Sequence, residues 1–426
     1  MTRPLWLHQV QLLIGPHQPI TSADALIDSG GELLLWGEGA SQRAQALGLS
    51  PTDAHSWLLA PVLVDPHSVL EQPCGGRAAD LASLAAAAAA GGYGTVALLP
   101  WATPWRDRPE RLGLAWAEPM QLMLWGSFSL DGADQELAPH ADQIAAGAIG
   151  LACADLQPPL ALLERGLLLA EMGNRPVLVA PRDANLCGAG FVREGVEALR
   201  AGWPADPELS ETLPLQSLLS LAKARLEVAL RLMNLSTAAG VDLLALAPRR
   251  PLASVSWWHL LADSGNLHPT EVGWRLRPSL GTPTDRLGLI AGLEQRLLTA
   301  VAVHHLPLDA EEQLLPLDQR RAGVAGHGAR HGLVLPLLWQ ELVQRRGWSV
   351  ELLWQALSWG GSELLGLPPE QLSQGTRRWL LFDPQHPWRW ERGESLSMAA
   401  NQPQWGQALC GAVRATGLQP AARWSL

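Results

Sequence analysis

Apolar and polar positions along the chain fall into two regimes. Up to about residue 55, short apolar runs alternate with turn residues. Leu5-Trp6-Leu7, Val10-Gln11-Leu12-Leu13-Ile14 and Glu32-Leu33-Leu34-Leu35-Trp36 are separated by Gly15-Pro16 and Ser29-Gly30-Gly31. Such runs, bounded by Gly and Pro, predict strands joined by turns and hence a small β unit. Beyond it, strand-like runs at 59–64, 94–99, 121–126, 148–153, 176–180, 225–231 and 297–303 alternate with stretches of helical periodicity at 79–90, 159–172, 214–222 and 285–293. Repeated strand–helix alternation implies parallel strands, and an eight-fold barrel is the commonest way to close them. From about 376 the strand pattern returns, in Arg378-Trp379-Leu380-Leu381-Phe382-Asp383-Pro384 and Cys410-Gly411-Ala412-Val413-Arg414. The expected fold is therefore α/β: a (β/α)8 TIM-type barrel over 56–372, with a small β domain built from 1–55 and 373–426.

Composition agrees with a large buried core. Of the 426 residues, 47% are hydrophobic and 17% charged, against a usual charged share of about 25%. A formal net charge of -10 argues against nucleic-acid or anionic-membrane partners, both of which require basic patches. Cys74, Cys153, Cys187 and Cys410 show no C-x-x-C spacing, so neither a zinc ribbon nor a disulfide framework is indicated and a reducing cytoplasm fits best. The N-terminus lacks the pattern of a signal peptide, and the apolar run Ala85 to Ala90 is too short to span a membrane. Its expected place is in a helix packed on the barrel. Tryptophan is over-used, with 20 Trp against 3 Phe and 1 Tyr. A compositional bias explains this most simply, while a surface that meets another protein is the functional alternative.

The segment Leu63-Val64-Asp65-Pro66-His67-Ser68-Val69-Leu70-Glu71-Gln72-Pro73 resembles the D-x-H-x-H-x-R-x-P strand end of dihydroorotases and related cyclic amidohydrolases. Further segments resemble that family in order. They are Gly91-Gly92-Tyr93-Gly94-Thr95 with Leu99-Pro100-Trp101-Ala102-Thr103-Pro104, then Met233-Asn234-Leu235-Ser236-Thr237-Ala238, Trp257-Trp258-His259-Leu260-Leu261, Arg277-Pro278-Ser279-Leu280 and Val303-His304-His305-Leu306-Pro307-Leu308. The resemblance implies the amidohydrolase barrel, with the two chain ends forming one β domain. In the family, two histidines on the first strand hold one side of a binuclear zinc centre, and an aspartate in the last motif acts as base.

This chain departs from that pattern at almost every functional position. By the resemblance, His67 keeps the first ligand position, but the second is Val69 and the substrate arginine is Glu71. Later ligand positions fall on Ala180 and Asn234, and the bridging ligand falls near Asp155. The base position is His304, Leu308 replaces a substrate-holding histidine, and Trp101 replaces a polar asparagine. Valine and alanine have no lone pair for zinc and a neutral amide is a poor donor, so metal binding, base and substrate recognition are impaired separately.

His67 and Asp155 are thus expected to be remnants of metal positions, and His304 to stand at the base position without that role. A rearranged mononuclear site of His67 with His304 or His305 is the sharper alternative, since three N/O donors and a water suffice for catalytic zinc. His327 and His331, four apart, suggest a shared helix face, with a solvated or capping role as the simpler reading. Cys187 lies in a Gly-rich stretch without an assignable base, and Gly188-Ala189-Gly190 is too short a fragment for a dinucleotide fingerprint.

The sequence therefore points to a dihydroorotase-like protein of pyrimidine biosynthesis that lacks catalysis and needs no cofactor. The resemblance implies aspartate carbamoyltransferase as the partner, because inactive dihydroorotase homologues assemble with it as scaffolding subunits. The alternative is an active, zinc-dependent cyclic amidohydrolase with a rebuilt site. Self-association into a homo-oligomer is compatible with either.

Overall fold

The computed structural model describes residues 4–114, 116 and 120–426. Eight parallel strands form a TIM-type barrel. β1 (Leu63–Ser68) pairs with β2 (Tyr93–Leu98), and β2 pairs with the first half of β3 (Gln121–Leu124). The second half of β3, Gly126–Ser127, pairs instead with β4 (Leu151–Ala152). In order around the barrel follow β5 (Val177–Val179), β6 (Leu230–Leu232), β7 (Leu252–Ser256) and β8 (Ala300–Ala302). Closure of β8 on β1 runs through the His304 N–H to the His67 carbonyl at 3.1 Å, and the Val69 N–H to the His305 carbonyl at 2.9 Å.

The chain ends form one antiparallel-rich sheet beside the barrel. It contains Leu5–Leu12, Thr21–Ile27, Leu33–Trp36, Leu58–Pro61, Trp379–Arg389 and Ala408–Thr416. The runs at 5–7 and 10–14 are not two strands; a single strand carries a register shift between Leu7 and Val10, with Gln9 at φ 54°. The run at 59–64 divides the other way. Leu58–Pro61 joins the chain-end sheet, whereas Leu63 starts the barrel. An unbroken apolar run carries no period that marks such a boundary. Strand β7 has no counterpart in the sequence reading.

The alanine run lies in the helix Leu81–Ala90, whose start is capped by the Asp80 side chain accepting from the Ser83 N–H at 2.8 Å. Ala85 and Ala87 to Ala90 are buried, so small side chains bring this helix close to the barrel wall. Inside the barrel, Val64, Ala97, Trp125, Ala152, Leu178 and Met233 pack together, which makes the interior a core rather than a channel.

Tryptophans are mostly interior here. Trp125, Trp354, Trp379 and Trp390 are fully buried, and each donates its ring N–H to a backbone carbonyl, of Pro66, Pro61, Gly31 and Pro403 respectively. Those bonds meet the need that makes a buried indole costly. Trp116, at 37%, is the tryptophan that counts as exposed among the described residues.

Candidate metal centre at the barrel mouth

The end of β1 and the end of β8 meet in a seam of buried polar groups. Asp65 is fully buried; its carboxylate accepts from the Val303 N–H at 3.0 Å and from the Ser68 hydroxyl, and it bonds His327 Nε2 at 3.0 Å. Ser68 Oγ in turn accepts from the His305 N–H at 2.9 Å. The His305 ring accepts at Nδ1 from the His327 N–H at 3.2 Å. These bonds tie the first strand to the last, so Asp65 serves barrel closure.

His67 and His304 face each other across this seam. Their Nδ1 atoms lie 3.0 Å apart, and the rings meet edge to face with centroids separated by 5.0 Å. The other nitrogen of His67, Nε2, bonds Ser254 Oγ at 2.8 Å. Ser254 also accepts from the Asn234 N–H at 3.0 Å. Burial pushes the His67 imidazole down to about 4, against a smaller opposing pull from Asp65. Burial also lowers His304 well below the usual histidine range, helped by His67, Arg182 and His259 nearby. Two neutral imidazoles can share one N–H between facing nitrogens, which fits this geometry without a charge.

The mouth above the pair is covered. Trp101 sets its ring edge to face on His304, with centroids 5.8 Å apart, and donates its N–H to the Cys153 carbonyl at 3.1 Å. It thereby reaches from the end of β2 to the end of β4. From below, Trp125 at the break in β3 donates to the Pro66 carbonyl of β1 at 3.0 Å.

The other singled-out residues are dispersed. Asp155 is not brought to the histidine pair; its carboxylate is 3.3 Å from Arg277, and its carbonyl accepts from Arg182 at 3.0 Å. Val69 and Ala180 are buried apolar side chains of the barrel interior. Asn234 sits at φ 54° with its side-chain oxygen buried and without a hydrogen-bond partner among the described residues. His259 bonds the Pro278 carbonyl at 3.2 Å through Nε2, and burial lowers it to about 4. Leu308 is buried, with its N–H donating to Asn401 Oδ1 at 2.8 Å. Glu71 lies at the rim and pairs with Arg321, which also holds Glu312. Cys187 ends a short helix, Ala184–Cys187, and burial raises its thiol, the opposite of an activated nucleophile.

His327 and His331 do not share a helix face, and the solvated or capping reading fails for His327, which is buried against Asp65 and Tyr93. His331 packs instead on Trp388. The sequence reading missed Ser254, Trp125 and the Asp65–His327 pair. A Ser in an unrecognised strand, an aromatic at a strand break and partners 262 positions apart leave no local signal.

The fold and this mouth define the protein as an amidohydrolase-type barrel. In structure it is similar to the L-hydantoinase (dihydropyrimidinase) of Arthrobacter aurescens, with a TM-score of 0.77 over 98% of this chain and 94% of that chain at 18% identity. It is likewise similar to the D-hydantoinase (dihydropyrimidinase) of Thermus sp., with a TM-score of 0.76 over 99% and 96% at 18% identity. No protein-family model matches the chain. In sequence it is 33% identical over 393 residues to a probable dihydroorotase-like protein of Synechocystis sp., covering 84% of this chain and 87% of the relative. With the dihydroorotase of Anaplasma phagocytophilum it shares 27% identity over 404 residues, 92% and 89% of the two chains. The chain belongs to the dihydroorotase-like family.

Zinc, the metal that the family resemblance implies, does not fit these donors. Both nitrogens of His67 are occupied by His304 and Ser254, and the neighbouring ligand positions are Val69, Ala180 and Asn234. A zinc site needs lone pairs from three or more side chains converging on one point. The buried Asn234 Oδ1, His305 Nε2 and His259 Nδ1 lack partners among the described residues, yet no three His, Cys, Asp or Glu side chains there are grouped to hold a metal ion.

Proposed function

We propose that this protein is a catalytically silent dihydroorotase-like subunit that serves pyrimidine biosynthesis by holding aspartate carbamoyltransferase. The observation that carries the silent reading is the bond between His67 and His304 under the Trp101 ring. The imidazole at the base position has one nitrogen engaged with His67 and an indole packed edge to face against it, and the rim carries Glu71 where a guanidinium would clamp an acidic substrate. Support for the partner comes from the family resemblance, in which inactive homologues act as scaffolds for that enzyme.

Two measurements test the reading separately. The purified chain, loaded with zinc or manganese, is expected to leave carbamoyl aspartate uncyclised; turnover at an enzyme-like rate would overturn the silent assignment and favour the cyclic amidohydrolase with a rebuilt site. Co-expression with the cell's aspartate carbamoyltransferase, followed by size exclusion, is expected to give one joint peak. Two independent peaks would remove the scaffold.

A further inference from the structure

Strand β6 reads Leu230-Arg231-Leu232, and its two leucines pack into the core shared with the outer helices. Arg231 lies in register with Leu178 of β5, which packs inside the barrel. Side-chain alternation therefore turns Arg231 toward the barrel axis. Its place at the start of β6 puts it at the end of the barrel opposite His304. Barrel layers of this kind are filled by branched apolar residues, so a guanidinium here is out of pattern.

The guanidinium is also poorly matched. Its Nε is buried without a hydrogen-bond partner among the described residues, and Nη1 reaches the carbonyl of the preceding Leu230 at a long 3.3 Å. Among the described residues no carboxylate comes within ion-pair distance of it. Burial lowers its pKa, opposed by the charge of Glu363 and helped by that of Arg249. Arg231 is half-buried, and holding a guanidinium this far from water without a paired counter-charge is costly.

A cavity of about 450 Å³ opens beside Arg231 and is lined also by Arg249, Arg250, Glu227 and Glu363. Arg249 is held in place by donating to the Leu226 carbonyl at 2.7 Å. An adjoining cavity of about 170 Å³ shares Glu363 and adds Arg296. The larger cavity carries three arginines against two glutamates, an excess of one positive charge, which Arg296 of the adjoining cavity raises to two, in a chain whose net charge is -10. That excess matches a phosphate dianion, which guanidinium groups bind through paired N–H donors. The larger cavity has room for more than the phosphate itself.

We propose that the base of the barrel is a binding site for a small phosphate monoester, with Arg231 as its innermost contact and Arg249 and Arg250 at its rim. The site stands at the opposite end of the barrel from the covered mouth and does not depend on the partner proposed above.

Calorimetric titration of the full chain with inorganic phosphate and with glycerol 3-phosphate, at constant ionic strength, tests it. Saturable binding near one per chain is expected, tightest for the monoester, and weakened about tenfold or more in the double variant R249A/R250A and in Arg231→Met. Absence of saturable binding for both anions, or binding left unchanged in either variant, would overturn the site. Arg249 and Arg250 are exposed, so the double variant decides the question alone should Arg231→Met fail to fold.

Discussion

His67 and His304, 237 positions apart in sequence, share a hydrogen bond between their Nδ1 atoms at 3.0 Å. With Ser254 on its Nε2, this bond completes the hydrogen bonding of the His67 imidazole. The pair is a buried, uncharged link between the first and last strands of the barrel, in the place where related enzymes of this fold are expected to hold metal.

The neutrality of this link makes stability depend on pH. His67 is lowered to about 4 in the folded chain from an ordinary 6.5, and His259 likewise. The unfolded chain thus takes up protons that the folded chain refuses between those values. Stabilisation is fully present above about pH 6.5 and is lost as pH falls toward 4, by about 3 kcal/mol for His67. Urea midpoints measured between pH 7.5 and 4.5 are expected to fall, with a shallower fall in His67→Gln. Equal slopes for the two proteins would contradict a neutral buried His67.

Restoring one missing ligand is not expected to restore metal. In Val69→His the new imidazole would have no free partner nitrogen on His67, which is held by His304 and Ser254. Zinc content by atomic absorption should stay well below one per chain after equilibration with excess metal. One tightly held zinc in this single variant would show that the histidine link gives way readily.

Asp65 is a structural carboxylate, and Asp65→Ala should show it. The substitution leaves the Val303 N–H and His327 without their acceptor in a dry seam. A loss of about 3 kcal/mol in urea unfolding is expected. Ser254→Ala, which removes one hydroxyl from His67 and from the Asn234 N–H, is expected to lose less, about 1 to 2 kcal/mol. A reversed ranking would place the main support of the seam elsewhere.

Trp101 covers the mouth, packed on His304 and bonded to the Cys153 carbonyl. Trp101→Ala should destabilise by about 1 to 3 kcal/mol, less than a fully buried tryptophan, because the ring is partly exposed. Opening the mouth is not expected to produce cyclisation of carbamoyl aspartate, since Val69 and Ala180 still supply no metal ligand and Asn234 only a neutral amide. Activity gained in this variant would mean that steric cover alone silences the protein.

Much of the architecture was legible in the sequence because it depends on alternation. Most chain-end strands and seven of the eight barrel strands leave apolar runs, although Thr21–Ile27 and β7 have no counterpart in the sequence reading, and the alanine run announces a close-packed helix. Boundaries failed where periodicity has nothing to say. The run at 59–64 is apolar throughout, yet it feeds two different sheets. Strand β3 breaks at Trp125, where the ring turns inward and the strand changes partners. The surplus of tryptophan, which composition alone left open to an interface reading, is largely interior; the ring N–H groups of Trp125, Trp354, Trp379 and Trp390 reach carbonyls that no local pattern foretells, while those of Trp257, Trp274 and Trp348 are buried without a partner among the described residues.

The sequence by itself determined which donors are missing, because no folding can turn Val69, Ala180 or Leu308 into a metal ligand or a hydrogen-bonding contact. Only the tertiary structure decided what the remaining groups do. His67 meets His304, Asp65 meets His327, and Trp101 closes over the mouth through contacts between residues 52 to 262 positions apart. Local sequence sets the chemistry each side chain offers. Barrel closure, which brings strands β1 and β8 together, decides which of those groups satisfy one another and leaves Arg231 at the opposite end with its Nε unpartnered among the described residues.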